Sequence, residues 1–171
     1  MTNEDLKRIA VEKKIVLPPF PAKYLTSISK ELSDEEGVLF FCQAKEGKID
    51  GTFFVSKKRV GFIKLGFFSG TSAVSVDINR INSIAKRKGV LSGEIEIWDN
   101  AAKIVYSMSS LHVDMAENAI KEAKTLLEQK NNVSINQTSA ADEILKFKNL
   151  LDQGIITQDE FDKKKKELLG L

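Results

Sequence analysis

The sequence predicts an α+β chain: seven short antiparallel strands forming a sandwich or partly open barrel, with helices before it, one helix closing it and a two-helix hairpin after it. Three observations carry this. Seven short β-rich runs lie between Val38 and Tyr106, some apolar throughout and some alternating apolar with polar, broken by turn residues about every ten positions. On either side of that stretch the apolar spacing becomes helical. Most of the 10 Phe and the 1 Trp fall between Phe40 and Trp98, so the large core belongs to the strands.

At the N-terminus, Asn3 is positioned to cap a helix running through Lys14, with Leu6, Ile9 and Ala10 at helical spacing. Pro18, Pro19 and Pro21 stop it, because the residue before each proline is pushed towards extended geometry. A second helix is expected over Ala22–Leu32, with Tyr24, Leu25, Ile28 and Leu32 on one face. The strands are then expected at Val38–Cys42, Thr52–Val55, Arg59–Ile63, Ala73–Ile78, Ile81–Ala85, Gly93–Trp98 and Lys103–Tyr106. Lys45–Lys48, Ser56–Lys58, Lys86–Gly89 and Asp99–Asn100 read as turns between them. Val113, Ala116, Ile120, Ala123 and Leu127 form the apolar stripe of a closing helix, long enough to plug one end of a barrel. Ser109 and Ser110 are placed to cap it. Asn131 to Ser139 is small, polar and uncharged, and reads as a flexible tether.

Ala140 to Leu171 reads as a hairpin. Ile144, Phe147, Leu150 and Leu151 share a face of its first helix, which Ser139 would cap and Gly154 would end in the left-handed geometry that glycine adopts at low cost. Ile155 and Ile156 follow. Thr157 and Glu160 then form a capping box for a second helix carrying Phe161 and Leu168. Chains below about 40 residues seldom bury enough apolar surface to fold unaided. With no cysteine or metal ligand set in this stretch, the hairpin is expected to dock on another surface: its own first domain, a second copy or another protein.

Composition narrows the function classes. The chain has 171 residues, 26 Lys+Arg against 24 Asp+Glu, and a net charge of +2, too small to imply nucleic acid or membrane on bulk charge. Charge is nonetheless uneven: residues 37–131 carry 14 basic and 10 acidic side chains, while each flank is slightly acidic. One Cys and one His exclude a disulfide framework and His-rich metal chemistry. Met1–Leu17 lacks the apolar segment of a secretory leader, and no run approaches the ~20 apolar residues of a membrane span, so a cytoplasmic protein is expected.

Two stretches carry a family resemblance. Leu150-Leu151-Asp152-Gln153-Gly154-Ile155-Ile156-Thr157-Gln158-Asp159-Glu160-Phe161, followed by Lys163 to Leu169, closely resembles the short C-terminal domain family, SHOCT. Phe54 to Val60, Ile78 to Ile84 and the closing helix make residues 22–129 similar to a bacterial PH-like domain of the YokE-like type. The resemblance implies a bacterial or prophage protein with a seven-stranded PH-like barrel, a capping C-terminal helix and a hairpin that mediates oligomerisation. Neither family brings a known catalytic activity. Eukaryotic PH domains that bind phosphoinositides cluster bases on the first strand hairpin. Here that loop is Lys45-Glu46-Gly47-Lys48-Ile49-Asp50, two bases offset by two acids, so phosphoinositide binding is not carried over. The expected organisation is an N-terminal helix and connector (1–21), a PH-like domain (22–130), a linker (131–139) and the hairpin (140–171).

Candidate sites follow from these readings. The apolar residues Ile144, Phe147, Leu150, Leu151, Ile155, Ile156, Phe161 and Leu168 form an oligomer or partner face. Lys57, Lys58 and Arg59, with Lys86, Arg87 and Lys88, offer two basic turns that suit phosphates of nucleic acid or anionic lipid, or simply a solvated surface. His112 stands without a second His or Cys nearby and reads as structural, and Cys42 reads as a buried thiol. Phe67-Phe68, between Gly66 and Gly70, offers a hydrophobic tip but no phosphate-binding loop. No acid–base pair, nucleophile set or metal cluster emerges. The expectation is a non-enzymatic protein without cofactor or small-molecule substrate, which binds a protein partner or itself, with nucleic acid or anionic membrane as alternatives.

Overall fold

The computed structural model describes residues 1–19, 21–65, 71–136 and 140–170. The expected Phe67-Phe68 tip and the Ser139 cap lie outside them. The described residues form two compact units, Met1–Leu127 and Glu128–Leu171.

The first unit opens with α1 (Asn3–Glu12) and α2 (Ala22–Glu31), followed by β1 (Val38–Glu46), β2 (Ile49–Ser56), β3 (Arg59–Leu65) and β4 (Thr71–Asp77). After a short 3-10 turn come β5 (Ser83–Lys88), β6 (Ser92–Trp98), β7 (Lys103–Ser109) and α3 (Ser110–Asn136), which belongs to this unit as far as Leu127. All strands join one antiparallel sheet in the order β4-β3-β2-β1-β7-β6-β5, so the fold is the seven-stranded α+β architecture that those runs predict. The two halves meet across a narrow seam: β1 pairs with β7 only at Lys45–Ser107 and Glu46–Tyr106. No other residues of these two strands pair with each other.

Five phenylalanines fill the core, Phe40, Phe41, Phe53, Phe54 and Phe62, together with Ile95 and Ile97. Burying each such side chain contributes about 1.5–3 kcal/mol. Tyr106 stacks on Phe62 at 5.3 Å and tilts against Phe53 at 5.2 Å. The α3 stripe of Val113, Ala116, Ile120 and Ala123 is buried in this same cluster. Gly61 is needed for clearance. Phe54 lies across it in the register of β2 and β3, and a Cβ there would come within 2.5 Å of the Phe54 ring and 2.8 Å of the Val74 carbonyl.

Four details differ from the sequence reading. Thr2, not Asn3, caps α1, because Thr2 and Asp5 complete a capping box; the Asn3 amide instead donates to Thr26 Oγ1 at 3.0 Å, tying α1 to α2. The α1 residues Leu6 and Ala10, and Ile15 just after it, are buried with the strands. Lys86, Arg87 and Lys88 do not form a turn: they lie in β5, paired with Ile95, Glu94 and Gly93 of β6. Finally, α3 continues to Asn136 through most of the expected tether. Ser110 does not cap it; its hydroxyl donates to the Gly89 carbonyl at 2.8 Å, and Ser109 ends β7.

Candidate interaction surface

The second unit contains α4 (Ala140–Asp152) and α5 (Gln158–Leu169). The turn between them is built from local backbone chemistry. Gly154 has φ +73°, its amide donates to the Leu151 carbonyl at 2.9 Å, and the Ile155 amide donates to the Leu150 carbonyl at 2.9 Å. This is the paired-bond end that left-handed glycine permits. Three residues on, the Thr157 amide donates to Glu160 Oε2 at 2.8 Å while Thr157 Oγ1 accepts from the Glu160 amide, the reciprocal cap expected from the sequence. That bonding holds the Glu160 carboxyl below the usual carboxylate range, so the cap stays charged at neutral pH.

The hairpin's packing is thinner than its turn. Phe161 is buried at 8% exposure, whereas Ile144, Phe147, Leu150, Leu151, Ile156 and Leu168 are only half-buried. Ile155 is 63% exposed, and Leu145 and Leu169 are exposed as well. The sequence reading missed Leu145 and Leu169, because both lie off the stripe defined by strict helical spacing.

The basic residues are placed less uniformly than their runs suggest. Lys57 and Lys58 are exposed at the β2–β3 turn. Arg59 is committed inward: its guanidinium donates to Glu31 Oε1 at 2.7 Å, to Glu36 Oε1 at 2.7 Å and to the Glu31 carbonyl at 3.0 Å. On β5, Lys86 donates to Asp114 at 2.9 Å and to Glu117 at 2.5 Å, and Lys88 also reaches Asp114. Arg87 is exposed and lies 3.4 Å from Glu96. Asp114 and Glu117 are held below their ordinary carboxylate range by these lysines and by Lys121. Four strands separate β3 from β5 in the sheet order, so the two triplets arise from distant places in the topology. Beyond β5, the turn into β6 presents Val90 and Leu91 at 96% and 85% exposure.

The remaining reactive groups are inward. Cys42 is buried at 3% exposure with Sγ 3.8 Å from Met108 Sδ, and burial pushes its thiol far above the ordinary range. His112 is buried against Phe40 with ring centroids 5.9 Å apart, and burial lowers its pKa. Among the described residues no group of three His, Cys, Asp or Glu could hold a metal ion, and no helix is long and apolar enough to cross a membrane.

The bacterial PH domain profile matches residues 32–122, which span every strand and the first half of α3. The chain belongs to the bacterial PH domain family. After this domain, residues 142–169 match the short C-terminal domain, so the order is a bacterial PH domain followed by a SHOCT hairpin. No curated protein matches. Similar solved structures include the C-terminal domain of an unknown protein from Leishmania infantum, at 18% identity and TM-score 0.43, covering 61% of this chain and 97% of that one. A pleckstrin homology domain from Shewanella amazonensis SB2B is similar at 17% identity and TM-score 0.42, covering 57% and 93%. The DH/PH domains of p115-RhoGEF are similar at 9% identity and TM-score 0.36, covering 70% and 39%. PH and SHOCT domains are typically non-catalytic, and PH domains generally mediate protein or lipid interactions.

Proposed function

We propose that the chain is a non-catalytic interaction protein whose PH domain binds a protein partner or a second copy and whose SHOCT hairpin promotes oligomerisation. One observation carries this reading. The hairpin's turn is locally well capped, yet among the described residues it buries one large side chain, Phe161, and leaves Leu145, Ile155 and Leu169 in solvent. Apolar surface left open in so small a unit is stabilised by covering it with another surface. A second chain can do so, and each hairpin that engages raises the effective concentration of the attached PH domain. Light scattering across a concentration series tests it. The full chain should exceed monomer mass, and the variant Leu145→Glu/Ile155→Glu should be monomeric. A wild-type chain that stays monomeric at every concentration would overturn oligomerisation through the hairpin.

A second reading, peripheral association with anionic membrane, is favoured by Val90 and Leu91. This apolar pair stands in solvent close to the exposed Arg87, the pattern of a tip that enters a bilayer interface while a neighbouring base meets headgroups. Co-flotation with phosphatidylserine vesicles that Val90→Ser/Leu91→Ser abolishes would support it, and no flotation of the wild type would remove it. Nothing in the geometry favours nucleic acid, because Arg59, Lys86 and Lys88 are already bonded to carboxylates.

A further inference from the structure

The seam between β1 and β7 has a consequence on the surface of the first unit. Beyond their two paired positions the ladder between the strands stops, and a cavity of about 790 Å³ lies beside it, lined in part by both strands. Its size lies inside the roughly 300–1,000 Å³ range of sites that take small molecules. Ala44 and Met108 come from the two strands, Leu17 and Pro18 from the segment after α1, and Leu111 and His112 from the first turn of α3. The lining is mostly apolar. Its charged members are Lys45 and Asp50, which pair with each other at 3.3 Å, so the wall carries no net charge. His112 is the side chain in that wall with a buried polar atom, Nε2, that has no hydrogen-bond partner. Such a group costs free energy unless something supplies a bond.

We propose that this cavity binds a small, uncharged amphipathic molecule, with its apolar body against Leu17, Ala44, Met108 and Leu111 and its polar head hydrogen-bonded to the His112 imidazole. A neutral imidazole both donates and accepts, so a carbonyl, amide or hydroxyl head satisfies it. A charged head would lose its hydration without meeting an uncompensated opposite charge. The site holds its ligand without converting it. It lies wholly within the unit Met1–Leu127 and does not depend on assembly through the hairpin.

Calorimetric titration of the full chain with octanamide, octanol and octanoate at neutral pH tests the proposal. Octanamide and octanol should bind at one site per chain, and octanoate at least tenfold more weakly. Replacing His112→Phe should weaken octanamide about tenfold, the loss of one buried hydrogen bond. Ser109→Trp, which places a large ring in the wall, should abolish binding of all three. In the wild type, octanamide should shift the ¹⁵N resonances of the His112 imidazole, a readout that needs no variant to fold. No binding of any probe up to its solubility would overturn the proposal. Equal affinity for octanoate, binding unaffected by Ser109→Trp, or an unmoved imidazole resonance would each do the same.

Discussion

Arg59 and Glu36 lie side by side: Nε donates to Oε1 at 2.7 Å and Nη2 donates to Oε2 at 3.2 Å. The planar fork of the guanidinium fits the carboxylate at two points. Ser56 Oγ adds a bond to the same carboxylate at 2.8 Å, so the turn after α2, the end of β2 and the start of β3 converge on Glu36. Two further bonds run from Arg59 to Glu31, at the end of α2.

Truncating Arg59 leaves Glu36 buried without its cation. Breaking a buried pair from one side costs about 3 kcal/mol. Arg59→Ala should therefore lower the urea midpoint sharply. Arg59→Lys, which keeps the charge but not the fork, should recover less than half of the loss. An Arg59→Ala midpoint within error of wild type would refute the assignment.

Gly61→Ala should destabilise by about 2 kcal/mol, since its methyl group meets both the Phe54 ring and the Val74 backbone. The ring can be shortened and the backbone cannot. Combining it with Phe54→Leu should therefore cost less than the sum of the two single changes, and a double-mutant cycle measures the coupling.

Acid should loosen the contact between α3 and β5 in a defined window. Asp114 and Glu117 have folded pKa values below their ordinary 3.8 and 4.5, so their pairs with Lys86 and Lys88 contribute stability that is fully present above those ordinary values. It is lost as pH falls through the lowered folded values. Melting temperatures of the wild type should fall below about pH 4.5, and Lys86→Met should flatten that slope while leaving the neutral value little changed. High salt should act in the same direction as the substitution.

Lys14 carries a left-handed backbone, φ 56°, at the end of α1, where its amide and that of Ile15 bond to the Val11 and Ala10 carbonyls. A residue with a Cβ pays about 1 kcal/mol for that conformation, and glycine does not. Part of the gain returns as extra freedom of the unfolded chain. Lys14→Gly should raise stability by about 0.5 kcal/mol, measurable as a shift in the denaturant midpoint. A loss would show that the lysine side chain does more than occupy the turn.

Legibility followed the physical signal. The core strands were readable because Phe53 to Val55 and Val60 to Ile63 combine β-rich composition with flanking turn chemistry, and the Thr157–Glu160 cap because two side chains at fixed spacing define it. β5 was legible only in its first half, since the expected strand at Ile81–Ala85 overlaps it but stops short of Lys86. As an edge strand it buries almost nothing, so its run of Lys86, Arg87 and Lys88 has no alternation to read. The helical course of α3 past Lys130 was hidden for a similar reason, since the small polar residues there offer no apolar stripe to read. The cavity was invisible for a different reason: Leu17, Ala44, Met108 and His112 come from separate segments, and only the folded chain makes them neighbours.

Cys42 is the single thiol of the chain, sealed between the strands beside Met108 and kept protonated by its surroundings. Alkylating reagents have no route to it until the sheet itself comes apart. The protein thus carries its own stopwatch: the pace at which an added maleimide consumes that sulfur reports how often the barrel opens, with no engineered probe and no second site to confuse the reading.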